Sequence, residues 1–158
     1  MKALRIALVA VPLVLTACPT SKTCLPGGDP ELTIGTGIIE YEPLDPADPA
    51  FLTVHGPQGG YHATIGLEAV YLDASDLMGA YMRGVIDGEE LAVSSPWLQM
   101  RCNPYTETLQ TWNLLLIWDA TPEFLAGKRT HIEVEVTDAS MTTVSASVDA
   151  RLYDPLVE

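Results

Sequence analysis

Two histidines and a glycine-rich turn make up the most distinctive polar segment, His55-Gly56-Pro57-Gln58-Gly59-Gly60-Tyr61-His62. Alternation on either side predicts a strand before the turn and another after it, with Leu52 and Val54 inward and both histidines outward. Neutral imidazole is a common ligand of zinc and copper, but two histidines need a third ligand, such as Glu68 or His131. The segment therefore allows a two-histidine metal site. The alternative is a tight turn whose histidines are polar caps.

Motifs of other catalytic or metal-binding classes are absent from the sequence. It contains no GxSxG nucleophile turn, no SxxK pair and no HExxH zinc motif. Acidic pairs such as Asp73 and Asp76 lack the dense alternating pattern of a calcium loop. We therefore predict a protein that is not an enzyme and that has no cofactor.

The first cysteine ends an apolar leader, MKALRIALVAVPLVLTAC. Lys2 and Arg5 form a basic start, and Ile6 to Leu15 form an apolar run of ten residues interrupted only by Pro12. A bilayer core requires about twenty apolar residues, so this run is too short to span it. A basic start, a short apolar core and small residues at the cut site indicate a secretory signal.

The end of the leader, Leu15-Thr16-Ala17-Cys18, resembles the lipobox of bacterial lipoproteins. The resemblance implies that residues 1–17 are a cleaved signal peptide, that Cys18 carries lipid, and that the membrane is a partner through this anchor. Two or more acyl chains give stable anchoring where one does not. Because Pro19 rather than Asp follows the cysteine, the resemblance implies the outer membrane in a bacterium with two membranes. The segment from His55 to His62 also resembles one in uncharacterised bacterial lipoproteins, which implies no activity.

The other two cysteines, Cys24 and Cys102, form an even pair once Cys18 is assigned to lipid. Export places them in an oxidising compartment, so we predict a disulfide between them. Its formation would fix the N-terminal tether to the domain.

The net charge of the chain indicates which classes of partner it can bind. The chain has 158 residues, with eight basic and 21 acidic side chains. The leader holds two of the basic residues and none of the acidic ones, so the remaining 141 residues carry six basic and 21 acidic groups, a net charge of −15. This acidity argues against a nucleic-acid partner, and the length suits one domain.

Strand and turn patterns fill the chain after a Pro/Gly-rich linker at residues 18–30. Tyr61 to Asp73 alternates clearly, and Ala80 to Ser94 predicts a hairpin whose turn is Asp87-Gly88. Leu109 to Trp118 is apolar on both faces, which predicts a central strand covered on both sides. We also expect Trp97, Trp112 and Trp118 to lie in the core.

The C-terminal part carries the fold prediction. A short crossover at Pro122–Gly127 precedes Thr130 to Thr137, with Ile132, Val134 and Val136 inward, and a second alternating strand, Thr143 to Tyr153. This pair resembles the last two strands of an immunoglobulin-like β-sandwich, without the cysteine pair of antibody domains. We predict an all-β, immunoglobulin-like antiparallel sandwich at residues 31–158.

Three functions are compatible with these features. The first is a lipid-anchored, non-enzymatic module of the cell envelope that binds another envelope protein or is structural. The second is a periplasmic zinc or copper lipoprotein that uses His55 and His62. The third is a small hydrolase or carbohydrate binder, for which no site signature is present.

Overall fold

The computed structural model describes residues 24–56 and 60–154. The expected signal peptide, Cys18 and the centre of the turn after His55 lie outside these residues. The described strands are β1 Glu31–Thr36, β2 Glu42–Pro43, β3 Ala50–His55, β4 Tyr61–Val70, β5 Met78–Ile86, β6 Glu89–Ser94, β7 Trp97–Leu98, β8 Arg101–Asn103, β9 Thr108–Trp118, β10 Arg129–Thr137 and β11 Thr143–Tyr153. One helical turn, α1 at Pro122–Leu125, precedes β10. The all-β prediction is confirmed.

Seven of these strands close into a ring. Its order is β4, β3, β11, β10, β5, β6 and β9, and β9 pairs again with β4. The pairing of β3 with β11 is parallel and the other pairings are antiparallel. The remaining strands lie at the margins, with β1 and β2 beside β4, β8 beside β9, and β7 beside β5.

The closed ring differs from the two separate sheets that define a sandwich. Three links in the ring are short: β3 shares three residue pairs with β11 and three with β4, and β6 and β9 share the single pair Ala92 and Trp118. The ring closes because two strands each pair with two partners along one edge. β4 pairs with β3 along one part of its edge and with β1 along the rest, and β9 pairs in the same way with β8 and with β6. Such sharing depends on contacts between distant segments, which alternation does not encode.

Inward-facing apolar side chains fill the centre of the ring. Ile132, Val134 and Val136 are buried as predicted, and β4 contributes Ile65 and Leu67. Burying a side chain of this size contributes about 2 kcal/mol. The inward set is therefore the main source of stability that positions the outer surface.

Local turn signals are also confirmed. Asp87 and Gly88 join β5 to β6 with φ angles of 53° and 85°. Positive φ at both positions gives a turn whose twist matches the flanking strands. The predicted crossover contains α1, and its N-cap Thr121 accepts a hydrogen bond from the backbone N–H of Phe124.

Two predictions about apolar residues are wrong. Leu115 and Ile117 of β9 are 41% and 54% exposed, so this strand is covered on one face only. Trp97 is 75% exposed and lies on short β7, whereas Trp118 is 3% exposed. Leu115 and Ile117 lie on the outer surface of the ring, and among the described residues no further element covers them.

The predicted disulfide is confirmed, since Cys24 is bonded to Cys102. Cys24 is buried, and Gly28 lies against the ring of Tyr71, where a Cβ would be 2.6 Å from ring carbons. The described end of the predicted linker is therefore held against the domain at two points.

Candidate functional site

Strand register separates the two candidate metal ligands. Val54 pairs with His62, and His55 pairs with Tyr61. Neighbouring strand residues point to opposite faces, so His55 and His62 lie on opposite faces of this hairpin. The buried side chains of β3 are Phe51 and Thr53, which reverses the inward and outward assignment that the sequence suggested.

Each histidine has its own surroundings. The His55 ring lies 5.0 Å from the Tyr61 ring between centroids, whereas His62 lies near Gly56. Glu68, one expected third ligand, is on the same strand as His62, and His131 is on β10. Among residues 24–56 and 60–154, no three His, Cys, Asp or Glu side chains are grouped as a metal site.

His131 belongs to a charged cluster on the outer surface of β10. Its Nδ1 is 2.7 Å from Asp149 Oδ1, and its Nε2 is 3.2 Å from Glu133 Oε1. The hydrogen bond to Asp149 raises the pKa of His131. Arg83 Nε donates to Glu133 Oε2 at 2.7 Å, and this hydrogen bond lowers the pKa of Glu133. The cluster joins β5, β10 and β11 and stays exposed, so its contribution to stability is screened by water.

A cleft of about 570 Å³ is lined by polar and aromatic side chains. We call it the polar cleft and define it by six side chains: Tyr41, Glu68, Arg101, Asn103, Gln110 and Trp112. They come from β4, β8, β9 and the loop between β1 and β2. The cleft lies beside the disulfide, because Cys102 also lines it.

Two glycines make room for the aromatic ring at one side of the polar cleft. Gly35 of β1 pairs with Gly66 of β4. A Cβ at Gly35 would be 2.5 Å from Tyr41 Cε2, and one at Gly66 would be 3.1 Å from Tyr41 Cδ2. The ring of Tyr41 therefore lies over backbone that only glycine leaves open.

A hydrogen-bond network fixes the polar side chains of the cleft. Gln110 Nε2 donates to Glu68 Oε2 at 2.6 Å, and Thr108 Oγ1 donates to the same oxygen at 2.8 Å. Asn103 Nδ2 donates to Gln110 Oε1 at 2.9 Å. Gln110 is buried, so each of its polar atoms needs such a partner. The network holds a carboxylate and two amides in fixed positions.

Electrostatics in the polar cleft follow from burial and from Glu68. Burial, with a smaller contribution from the Glu68 charge, raises the pKa of Tyr41 to about 12. The Tyr41 hydroxyl is therefore neutral at physiological pH and remains a hydrogen-bond donor. Arg101 supplies positive charge at the same cleft.

A second surface feature is apolar. We define the outer apolar face as Ile38, Ile39, Leu52, Val54, Leu115 and Ile117. Leu52, Val54 and the two isoleucines line one groove with Thr64, and Thr64 pairs with Leu115. Ile39 is 86% exposed. His62 and Thr64 lie between these side chains on β4, and Glu40 and Glu42 also line the groove.

Sequence reasoning missed both features. The signal for the outer apolar face was present in the double apolar pattern of Leu109 to Trp118, which we interpreted as burial on both sides. The residues of the polar cleft are separated along the chain, from Tyr41 to Trp112, and no motif joins them. The only local signal was the position of Gly35 and Gly66 within strands, since a glycine there can mark a place where another part of the protein packs closely on the backbone.

Comparison with known proteins gives no family for this chain. No model of a protein family matches it, and no curated protein is similar to it in sequence. Helices of the length and hydrophobicity needed to cross a membrane are absent from the part of the chain that the structure describes.

Proposed function

We propose that this protein is a lipid-anchored binding module of the cell envelope, without enzymatic activity, whose outer apolar face docks another envelope protein. The observation that carries the proposal is the exposure of Leu115 and Ile117 beside the groove of Ile38 and Ile39. A contiguous exposed apolar surface marks an interaction site.

The chemistry of the face and its surroundings describes the partner. Apolar side chains of the partner would fill the groove between Ile39 and Val54. The chain carries a strong net negative charge, so the partner's contact surface should have basic residues at its rim. Repulsion between two acidic copies disfavours self-association through this face.

The lipid anchor is supported by the lipobox resemblance at Leu15 to Cys18 and by the position of the disulfide. Cys24 is six positions after Cys18 in the sequence. An extended chain spans at most about 3.5 Å per residue, so Cys24 would lie within about 20 Å of the lipid on Cys18. An anchor of this length would hold the domain close to the membrane surface.

Site-specific crosslinking in native cells tests the docking face. A photo-reactive residue at Ile117 should give a crosslinked protein adduct that Leu115→Asp abolishes. The same probe at Met141, which is exposed in the turn between β10 and β11, is the matched control and should give no such adduct. Equal adducts from both positions, or an adduct insensitive to Leu115→Asp, would contradict the docking face.

Membrane fractionation tests the anchor separately. Cys18→Ser should release the full chain from the membrane fraction. Retention of this variant in membranes would remove the anchor from the proposal and leave the docking face unaffected.

The finer description of the fold is also a proposal. We infer an immunoglobulin-like relationship because the pairings of five or more residue pairs form two groups of strands. One group is β1, β4 and β9, the other is β6, β5, β10 and β11, and short links through β3 and between β6 and β9 join them. Amide hydrogen exchange of the full chain tests it. Exchange at Ala92 and Trp118 much faster than within β10 would support two sheets, and uniform protection around the ring would contradict it.

A further inference from the structure

We propose that the polar cleft binds a saccharide. This inference goes beyond the proposed function, because the polar cleft and the outer apolar face have no defining residue in common. It rests on the combination of two aromatic side chains with fixed planar polar groups in one cavity.

The aromatic side chains supply the apolar part of the recognition. Tyr41 and Trp112 both line the cleft, and both are half-buried, so each keeps part of its ring accessible. A sugar ring presents C–H groups on its faces, and these pack on aromatic rings. An amphipathic aromatic side chain provides such a surface while its polar atom remains available for hydrogen bonding.

The polar side chains match the hydroxyl groups of a sugar. Both hydrogen bonds that we describe at the Glu68 carboxylate end on Oε2, which leaves the lone pairs of Oε1 for a ligand donor. Asn103 and Arg101 add N–H donors beside it. A hydroxyl group both donates and accepts, so it can bond to the carboxylate and to the neighbouring N–H groups at once.

Charge argues against an anionic ligand. An anion would meet Glu40 and Glu68 at the cleft, with Arg101 as the single cationic side chain of its lining. A neutral, hydroxyl-rich ligand avoids this repulsion. The volume of about 570 Å³ is typical of small-molecule sites.

The position of the cleft leaves two sources for the saccharide. Cys102 lines the cleft and is bonded to Cys24. If Cys18 carries the proposed lipid, the cleft therefore lies near the membrane surface, where a glycolipid headgroup is accessible. A soluble or wall-bound glycan presents the same chemistry, and the experiment separates the two.

The test uses the full chain in a detergent that contains no sugar, with glucose, galactose, mannose, N-acetylglucosamine and their disaccharides as probes. Saturation-transfer NMR and titration should show saturable binding of at least one probe, with a Kd of about 1 mM or tighter. Trp112→Leu and Arg101→Ala should each weaken it about tenfold. Trp97→Leu, which changes an exposed tryptophan outside the cleft, is the matched control and should leave binding unchanged.

Several outcomes would overturn the proposal. These are no binding of any probe, binding that both cleft variants leave intact, or binding of methylammonium in preference to every sugar. Arg101 is exposed, so its variant keeps the test valid even if Trp112→Leu fails to fold. Binding to galactolipid vesicles with competition by free galactose would assign the headgroup, and binding to free sugar alone would assign a soluble glycan. The crosslink at Ile117 reports on the proposed function independently.

Discussion

The indole of Trp118 occupies the space that a side chain at Gly84 would need. A Cβ on Gly84 would be 2.3 Å from Trp118 Cη2 and 2.7 Å from Cζ3. Gly84 lies on β5, and Trp118, at the end of β9, forms with Ala92 the single pair that links β6 to β9. Trp118 Nε1 has no hydrogen-bond partner among the described residues, so packing of the ring holds this tryptophan in place.

Gly84→Ala should destabilise the protein because the new methyl group would displace the Trp118 ring. Overpacking of this kind costs about 1–3 kcal/mol. The matched control is Gly79→Ala on the same strand, where a Cβ would be 3.8 Å from Trp97 and in ordinary contact. Urea unfolding followed by tryptophan fluorescence measures both. Equal stability of the two variants would show that the Trp118 ring moves freely.

Loss of the disulfide should also destabilise the domain. The bond joins residues 78 apart. Closing a loop of this length lowers the entropy of the unfolded chain, which stabilises the folded state by about 4 kcal/mol at room temperature. Cys24→Ser/Cys102→Ser should lower the free energy of unfolding by that amount, which is measured as a lower urea midpoint. Cys18→Ser is the control and should leave the midpoint unchanged. An unchanged midpoint in the double variant would mean that the bond constrains little of the unfolded chain.

Asp138 should make the stability depend on pH in acid. Burial raises its pKa, but hydrogen bonds donated by the backbone of Asp73 and Thr142 and by Ser140 outweigh this and hold the pKa below its ordinary value. A depressed pKa contributes stability that is present above the unfolded value of about 3.9 and is lost as the pH falls through the folded pKa.

Asp138→Asn should remove this dependence, because the amide does not titrate. It should also lower stability at neutral pH, because the amide nitrogen cannot accept the hydrogen bond that the Asp73 N–H donates to Oδ2. The expected cost is about 2 kcal/mol at neutral pH. The difference from the unmodified protein should shrink below about pH 4. Asp45→Asn, in an exposed turn, is the control. A constant difference from pH 7 to pH 3 would contradict this role.

The His131 pKa should be higher than that of an ordinary histidine, about 6.5, because of its hydrogen bond to Asp149. A raised pKa contributes stability that is fully present below the unfolded value and is lost as the pH rises through the folded pKa. NMR titration of the His131 ring measures the shift directly, and Asp149→Asn should lower the pKa. Since Asp149 is largely exposed, the accompanying change in stability should be small.

Zinc titration tests the two-histidine interpretation. Because His55 and His62 lie on opposite faces of their hairpin, we expect any zinc affinity to be the same in His55→Ala/His62→Ala as in the unmodified protein. Isothermal titration of the full chain makes the comparison. Micromolar binding lost only in the double variant would restore the metal site.

The error in the inward and outward assignment of Leu52 and Val54 has a specific cause, although His55 is exposed as predicted. Both faces of β3 are apolar: Phe51 lies inward with Thr53, and Leu52 and Val54 lie outward. A strand with two apolar faces can be assigned in either phase, and a shift of one residue reverses every side chain. The outward apolar residues belong to the outer apolar face, so the ambiguity and the docking surface have the same origin.

Local chemistry in the sequence determined the strands, the Asp87-Gly88 turn and the inward faces of β10 and β11. These follow from alternation and turn geometry, which neighbouring residues define by themselves. Cysteine parity added the pairing of Cys24 with Cys102. Tertiary structure alone decided the closure of the ring, the exposure of Trp97 and the assembly of Glu68 with Gln110. Those outcomes depend on which distant strands pair and in which register, and the burial of many side chains together sets that choice.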